Sequence, residues 1–338
     1  MSERERVCVN ASKPMKVKVV VVTMFEFDDE GPGERRLWVE RRNLDQRYAF
    51  PAGRSDIYSD GDGVLLITTG MGVSNAAASV MALGMDPRFD FSQAYWLVAG
   101  ICGLDPLRGP IGSAVWTDYV VDGGLANELD AREIPEDWPT GYMPLLATKP
   151  YEREGIYIDP SQLFELNPKL LKWAYALTKD TPLADRPELE SRRAEFVGFP
   201  EAQKKPCVMI GSHLSDSTFW HGVKMTEFGR AWVDFWTEGK GTFTTKAMED
   251  SGTLQSLRNL DNAAKVDYKR VMILRTASNY SMPSPGMTAY QSIAREHGAS
   301  LSALNESVEA AFRVGNRVVQ ALLDDWDTFR EDIPGGLD

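Results

Sequence analysis

Four apolar runs limit what this chain can become: "VKVVVVTM" (17–24), "GVLLITTG" (63–70), "AYWLVAG" (94–100) and "RVMILRT" (270–276). None alternates apolar with polar residues. A continuous β-branched or aliphatic run of this length is the mark of a strand covered on both faces. "SAVWTDYVVDGG" (113–124) and "PCVMIGS" (206–212) read as further strands. Helical patterns stand between and after them. "MGVSNAAASVMALG" opens on Ser74 or Asn75 as a cap, and residues 162–178, 224–236 and 254–265 follow. "ESVEAAFRVGNRVVQALLDDW" (306–326) has the spacing of a long amphipathic helix. Buried strands alternating with helices predict an α/β fold, one domain built on a mixed, mostly parallel central sheet flanked by helices. Residues 1–15 read as a flexible leader and 16–330 as the domain. Residues from about 125 to 205, rich in proline, glycine and charge, read as an insertion.

Composition narrows the function classes. The 338 residues carry a net charge of -12, which repels a phosphate backbone, so no nucleic-acid partner is expected. The basic clusters are short, and "ERRLWVERR" (34–42) reads as a solvated face. No stretch approaches the roughly 18 apolar residues of a membrane span. The N-terminus has no apolar signal-peptide core, so a cytoplasmic location is expected. Cys8, Cys102 and Cys207 lie far apart, which argues against a local zinc site and a disulfide framework. No cofactor or metal is expected.

In open α/β sheets ligands gather beyond the carboxyl ends of the strands. The candidate strand ends are "TMFEFDDE" (23–30), "TTGMGVSN" (68–75), "AGICG" (99–103), "IGSHLSDSTFWHG" (210–222) and "RTASNYS" (275–281). "GMGVSN" departs from GxGxxG, and the acid expected about 20 residues on is missing, so a dinucleotide site is not indicated. A glycine loop of this kind either lets helix and strand pack closely or offers amides to an anion or hydroxyl.

"TTGMGVSNAAASVMALG", "LVAGICGLDP", "SDSTFWHG", "AMEDSG" and "ILRTASN" occur in the order used by the nucleoside phosphorylase and nucleosidase superfamily. Over almost its whole length, and most specifically in "VVDGGLANELDAREIPEDWPTGYMPL" (120–145), the chain resembles the purine nucleoside permease family. That family is named for nucleoside transport, yet is similar in sequence to the phosphorylases. The resemblance implies a purine nucleoside as the small-molecule partner. It also implies a homo-oligomer, since superfamily enzymes often complete the site across a subunit interface.

Carried onto this chain, the superfamily's Met-Glu pair falls on Met248 and Glu249. The carboxylate accepts hydrogen bonds from the ribose diol, and the methionine packs on the sugar's apolar face. The pattern S-x-x-x-F-x-x-G puts the base-stacking aromatic at Phe219, with Trp220 beside it and His221 next as a sugar contact. The group that assists the departing purine falls on Asn279, where an aspartate is usual. An asparagine amide can donate to the base but cannot give up a proton. Because some superfamily phosphorylases specific for 6-oxopurines use asparagine here, the resemblance implies inosine or guanosine rather than adenosine. Where bacterial phosphorylases hold phosphate with an arginine and a serine, this chain has Val98 and Ile101. The amides of Gly70, Met71, Gly72, Gly100 and Ile101 remain as an anion or water loop. Arg35, Arg36, Arg41 or Arg42 would then have to supply a cation.

For a hydrolase the resemblance implies a carboxylate base after the first strand, with Asp28 first and Glu26 next. The function implied is cleavage of the N-glycosidic bond of purine nucleosides, by water or with phosphate as co-substrate. The alternatives are nucleoside binding in the service of transport and a scaffold without activity.

Overall fold

The computed structural model describes residues 13–27, 33–298 and 303–335. The leader reading overlaps it only at its end, where Met15–Lys16 already pairs with Phe89–Asp90. Strands β1 (Val19–Thr23), β4 (Val64–Thr68) and β5 (Tyr95–Leu104) arise from the apolar runs read as buried strands. They lie side by side and parallel, with Val19–Val22 between the two neighbours. β2 (Gln46–Tyr48) and β3 (Ile57–Ser59) extend this edge antiparallel.

On the other side the sheet closes on itself. β5 pairs with β10 (Val271–Tyr280), β10 with β6 (Ala114–Asp122), β6 with β8 (Val208–Ser215), β8 with β9 (Phe243–Ala247), and β9 again with β5. β7 (Leu163–Glu165) hangs antiparallel on β6. The long pairings β1–β5, β5–β10 and β6–β8 are parallel, and the antiparallel ones are shorter.

The strand period of two sorts the side chains into two layers. Val20, Val22, Leu65, Ile67 and Trp96 pack under helices α2 (Val73–Gly84) and α6 (Asp250–Asn262), with Leu83, Leu254 and Leu260 opposite. Val19, Val21, Leu66 and Leu97 point the other way, against α3 (Pro168–Thr178) and α8 (Leu304–Asp324). The seam between α2 and α6 is closed by glycine. A Cβ on Gly252 would stand 2.2 Å from the Val73 carbonyl oxygen, and one on Gly84 would stand 2.2 Å from Leu260 Cδ1. The first clash is with backbone and cannot be relieved by a rotamer. Gly252→Ala is therefore expected to destabilise the protein by about 1–3 kcal/mol, measured as a fall in the urea midpoint. An unchanged midpoint would contradict this packing.

Several expectations need correction. Ser74 and Asn75 lie inside α2, and the cap position belongs to Gly72, whose φ of 90° only glycine adopts readily. Residues 163–165 form β7, so the helix read over 162–178 starts at Pro168. "ERRLWVERR" is not a solvated face: Glu34 and Trp38 are buried, the latter in helix α1 (Arg36–Arg41) beneath Phe312. β9 has no counterpart in the apolar runs. The segment from 179 to 205 carries helix α4 (Pro187–Ala194), anchored by Leu189 and by Arg193 on Asp185.

Candidate active site

The site originates in a split in the sheet. β10 follows β5 from Trp96 to Leu104 along one edge. Along the other edge β1 pairs with Tyr95–Val98, and β9 takes over at Gly103 and Leu104. Between them the edge of β5 has no strand neighbour, and a buried backbone amide there must find another partner. Glu34 supplies it. One carboxylate oxygen accepts from the Ile101 amide at 2.7 Å and the other from the Met24 amide, at the end of β1, also at 2.7 Å.

A cavity of about 920 Å³ opens at the split. Its lining comes from the ends of six strands and the loops that follow them, with Arg54 and Ser55 added from the loop between β2 and β3. One end is polar. Glu34 meets Arg275, which is fully buried and bonded to Glu249 at 3.0 Å and to Asp250 at 2.6 and 2.9 Å. Asp250 in turn touches buried His213 at 2.9 Å. Burial alone would neutralise these groups, but they hold one another. Burial opposes the Asp250 charge, yet Arg275 and His213 outweigh it and keep the carboxyl far below its usual range. Burial likewise works against Arg275, and the two acids beside it hold its proton firmly. His213 is kept neutral by burial despite Asp250. Glu34 is the exception. Burial pushes its carboxyl up to about 7, with Arg275 only partly opposing.

The other end is aromatic. Phe219 and Trp220 line it together with Lys246, Cys102, Gly103, Ser278 and Asn279. Trp220 also stacks on Phe243, and so joins cavity to core. Phe219 is more than a third exposed, and the Lys246 nitrogen lies over its ring.

The cavity brings together Glu26, Gly70, Met71, Ile101, Phe219, Trp220, Met248, Glu249 and Asn279 from the residues expected in the site. Others fall elsewhere. His221 faces away, bonding Ser292 at 3.0 Å in a separate small crevice beside α7 (Ala289–Gly298), so it is not placed to touch the sugar. Gly72 is behind the lining and donates its amide to Glu249 at 3.3 Å. Gly100 is packed tightly against Met24, Glu34 and Arg275 and is not exposed to the cavity. Glu26 accepts the amides of Gly33, Arg35 and Arg36 at 2.9 to 3.0 Å, one more amide than Glu34 holds, and braces its loop. Asp28 lies outside the described residues. Val98 is core, as its lack of a polar group requires. Arg41 and Arg42 turn to Glu309 and Asn316 on α8, away from the cavity, whereas Arg35 lines it.

Asn279 does not sit in a turn after the last strand. β10 continues through Tyr280, and a register shift between Ala277 and Asn279 brings Asn279 opposite Gly103. Its amide donates to the Tyr280 carbonyl at 2.9 Å and accepts from Ser278 at 3.0 Å. Sequence reasoning missed Glu34, Arg54, Lys246 and Arg275. For Arg275 and Lys246 a signal existed, a single basic residue inside an otherwise uncharged strand, which must be paired or functional.

The family described as "Purine nucleoside permease (NUP)" matches residues 16–334. A purine nucleoside permease of Candida albicans is 29% identical over 322 residues, covering 93% of this chain and 77% of the relative. A probable purine nucleoside permease of Schizosaccharomyces pombe is 26% identical over 327 residues, covering 92% and 90%. Among solved structures, a 5′-methylthioadenosine/S-adenosylhomocysteine nucleosidase of Neisseria meningitidis superposes with a TM-score of 0.51 at 14% identity, over 90% of this chain and 99% of that one. The corresponding nucleosidase of Streptococcus pneumoniae gives 0.52 at 14%, over 90% and 100%. These superpositions place the chain in the nucleosidase-like α/β fold.

Proposed function

The chain belongs to the purine nucleoside permease family, and from that premise and the cavity's two unlike ends we propose that it binds a purine nucleoside and hydrolyses its N-glycosidic bond. The observation that carries hydrolysis is Glu34. A buried carboxyl with its pKa near 7, lining the cavity, is suited to take a proton from water at neutral pH. Glu249, with Gly72 and Arg275 fixing its two oxygens, receives the ribose hydroxyls, and Met248 covers the sugar's apolar face. Phe219 stacks on the base and Asn279 addresses its edge. Glu34 takes the part expected of Asp28 or Glu26.

Phosphorolysis is less well supported. Val98 is buried, Ile101 offers only its backbone, and Arg275 is spent on two acids. Arg35, Arg54 and Lys246 are the remaining cations of the lining. A second reading, nucleoside binding in the service of transport, is favoured by the names of the relatives and by an asparagine where an acid is usual. Among the described residues no helix is long and apolar enough to cross a membrane. The sugar product separates the chemistries. With inosine in phosphate buffer, free ribose is expected, and ribose 1-phosphate would overturn hydrolysis.

A further inference from the structure

The register of three strands sets a row across the sheet: Gly103 on β5 is the partner of Asn279 on β10 on one side and of Lys246 on β9 on the other. Residues paired across strands project to the same face. The middle position has no side chain, and its neighbours lean into the space. A Cβ on Gly103 would stand 2.9 Å from Lys246 Cε and 3.5 Å from Asn279 Nδ2. Lysine and asparagine therefore converge at the aromatic end of the cavity.

Lys246 is an unusual group to find there. It is 5% exposed, and among the described residues no carboxylate lies within ion-pair distance of it. An ammonium has three donors. One goes to the Trp220 carbonyl, the only hydrogen-bond partner of Lys246 among the described residues. The nitrogen otherwise lies against rings, 4.0 Å from the Phe219 centroid and 4.4 Å from that of Trp220. Cation–π contact stabilises the charge only in part. Two donors are left at a cavity wall that takes a flat aromatic ligand. A buried, half-satisfied cation costs stability, which favours a role in binding or chemistry.

We propose that Lys246 is a catalytic acid of this site, donating its proton to the imidazole ring of the departing purine while Asn279 orients the same edge. The proposal rests on the cleavage reading above. As the C1′–N9 bond breaks, its electron pair leaves with the base. A proton passes from Lys246 Nζ to purine N7, leaving a neutral amine. Water bonds to C1′ and gives its proton to the Glu34 carboxylate. Both side chains then re-equilibrate with solvent, so the sum is nucleoside plus water to free purine plus ribose.

The charge state suits the step. Desolvation brings the Lys246 ammonium down from the ordinary lysine value to about 7, with Asp216 beyond β8 and Cys102 on β5 pulling the other way. The Cys102 thiol is itself pushed up by burial and stays protonated. The rings against the Lys246 nitrogen, Phe219 and Trp220, do not titrate. An acid of this strength is protonated below about pH 7 and gives up its proton readily. This is the function that Asn279 cannot supply.

The test compares Lys246→Met with the unaltered protein on inosine and on 7-methylinosine, whose ring already carries a positive charge and needs no proton at N7. Methionine fills nearly the same volume without the buried charge, so its melting temperature should not fall. Should K246M fail to fold, Lys246→Gln is measured in its place. With inosine, kcat/KM should drop about 100-fold or more, and the decline above pH 7 should vanish. With 7-methylinosine both proteins should agree within a few-fold. Equal losses on both substrates, or an alkaline decline that survives the substitution, would overturn the acid role and leave hydrolysis standing. No base release by the unaltered protein from either nucleoside would overturn the cleavage reading and this proposal with it.

Discussion

Glu34→Gln is expected to slow release of hypoxanthine from inosine by about 10³-fold, within the usual range for loss of a general base, while the nucleoside's Kd changes only a few-fold. The side chain has two duties, and they are separable. As a brace, Glu34 accepts the amides of Met24 and Ile101 where β1 and β9 leave the edge of β5 bare. A glutamine has one acceptor oxygen, so one of those amides would face an NH2 group. That costs about 1–3 kcal/mol of stability, and the comparison belongs at a temperature where both proteins are folded. As a base, Glu34 must be ionised. Burial raises its carboxyl to about 7, so in the unaltered protein kcat/KM should rise toward pH 7 as the carboxylate forms. Combined with an acid that is lost above the same pH, the profile is a narrow bell. The acid limb should disappear in E34Q. A full rate in that variant, or an unchanged acid limb, would move the base elsewhere.

The second large effect concerns Glu249. Replacement by alanine should remove two charge-assisted hydrogen bonds to the ribose diol, each worth about 1.5–3 kcal/mol, and so lower nucleoside affinity by about 10²–10⁴-fold. Binding of the free base should change little, because the aromatic end is untouched. That contrast guards against a folding artefact. Arg275 keeps its paired bonds to Asp250 at 2.6 and 2.9 Å, so the buried guanidinium is not stranded. The amides of Gly72 and Met248, which now donate to Glu249, are left for water. Measured by calorimetry, an inosine affinity that survives E249A would mean that the ribose lies elsewhere.

The fold was legible where the physics is local. Continuous apolar runs produced β1 and β4 almost at their true bounds and the first parts of β5 and β10, because burial on both faces leaves no other composition. Helices α5 (Val223–Thr237) and α8 followed from their apolar stripes. Met248, Glu249, Phe219 and Asn279 came from ordered motifs and do converge on one cavity. What remained hidden depends on contacts distant in sequence. Glu34 stands among charged residues, and nothing near it shows that Ile101, 67 residues away, has a bare amide for it to cover. Lys246 and Asn279 acquire their meaning only through the register of β9 and β10 on Gly103, which no single segment encodes. β9 itself, "FTTKA", is short and half polar and lacks the apolar signal of its neighbours. His221 misled because its neighbour Phe219 does face the cavity, whereas the chain two residues on has turned toward α7.

Release of free purine from inosine, guanosine and adenosine in phosphate-free buffer, followed by absorbance together with a calorimetric binding isotherm, tests the central claim most directly. The account predicts turnover without phosphate, with the 6-oxopurine nucleosides ahead of adenosine. Tight binding of intact nucleoside with no base released, with or without phosphate, would contradict it and make the cavity a carrier's site.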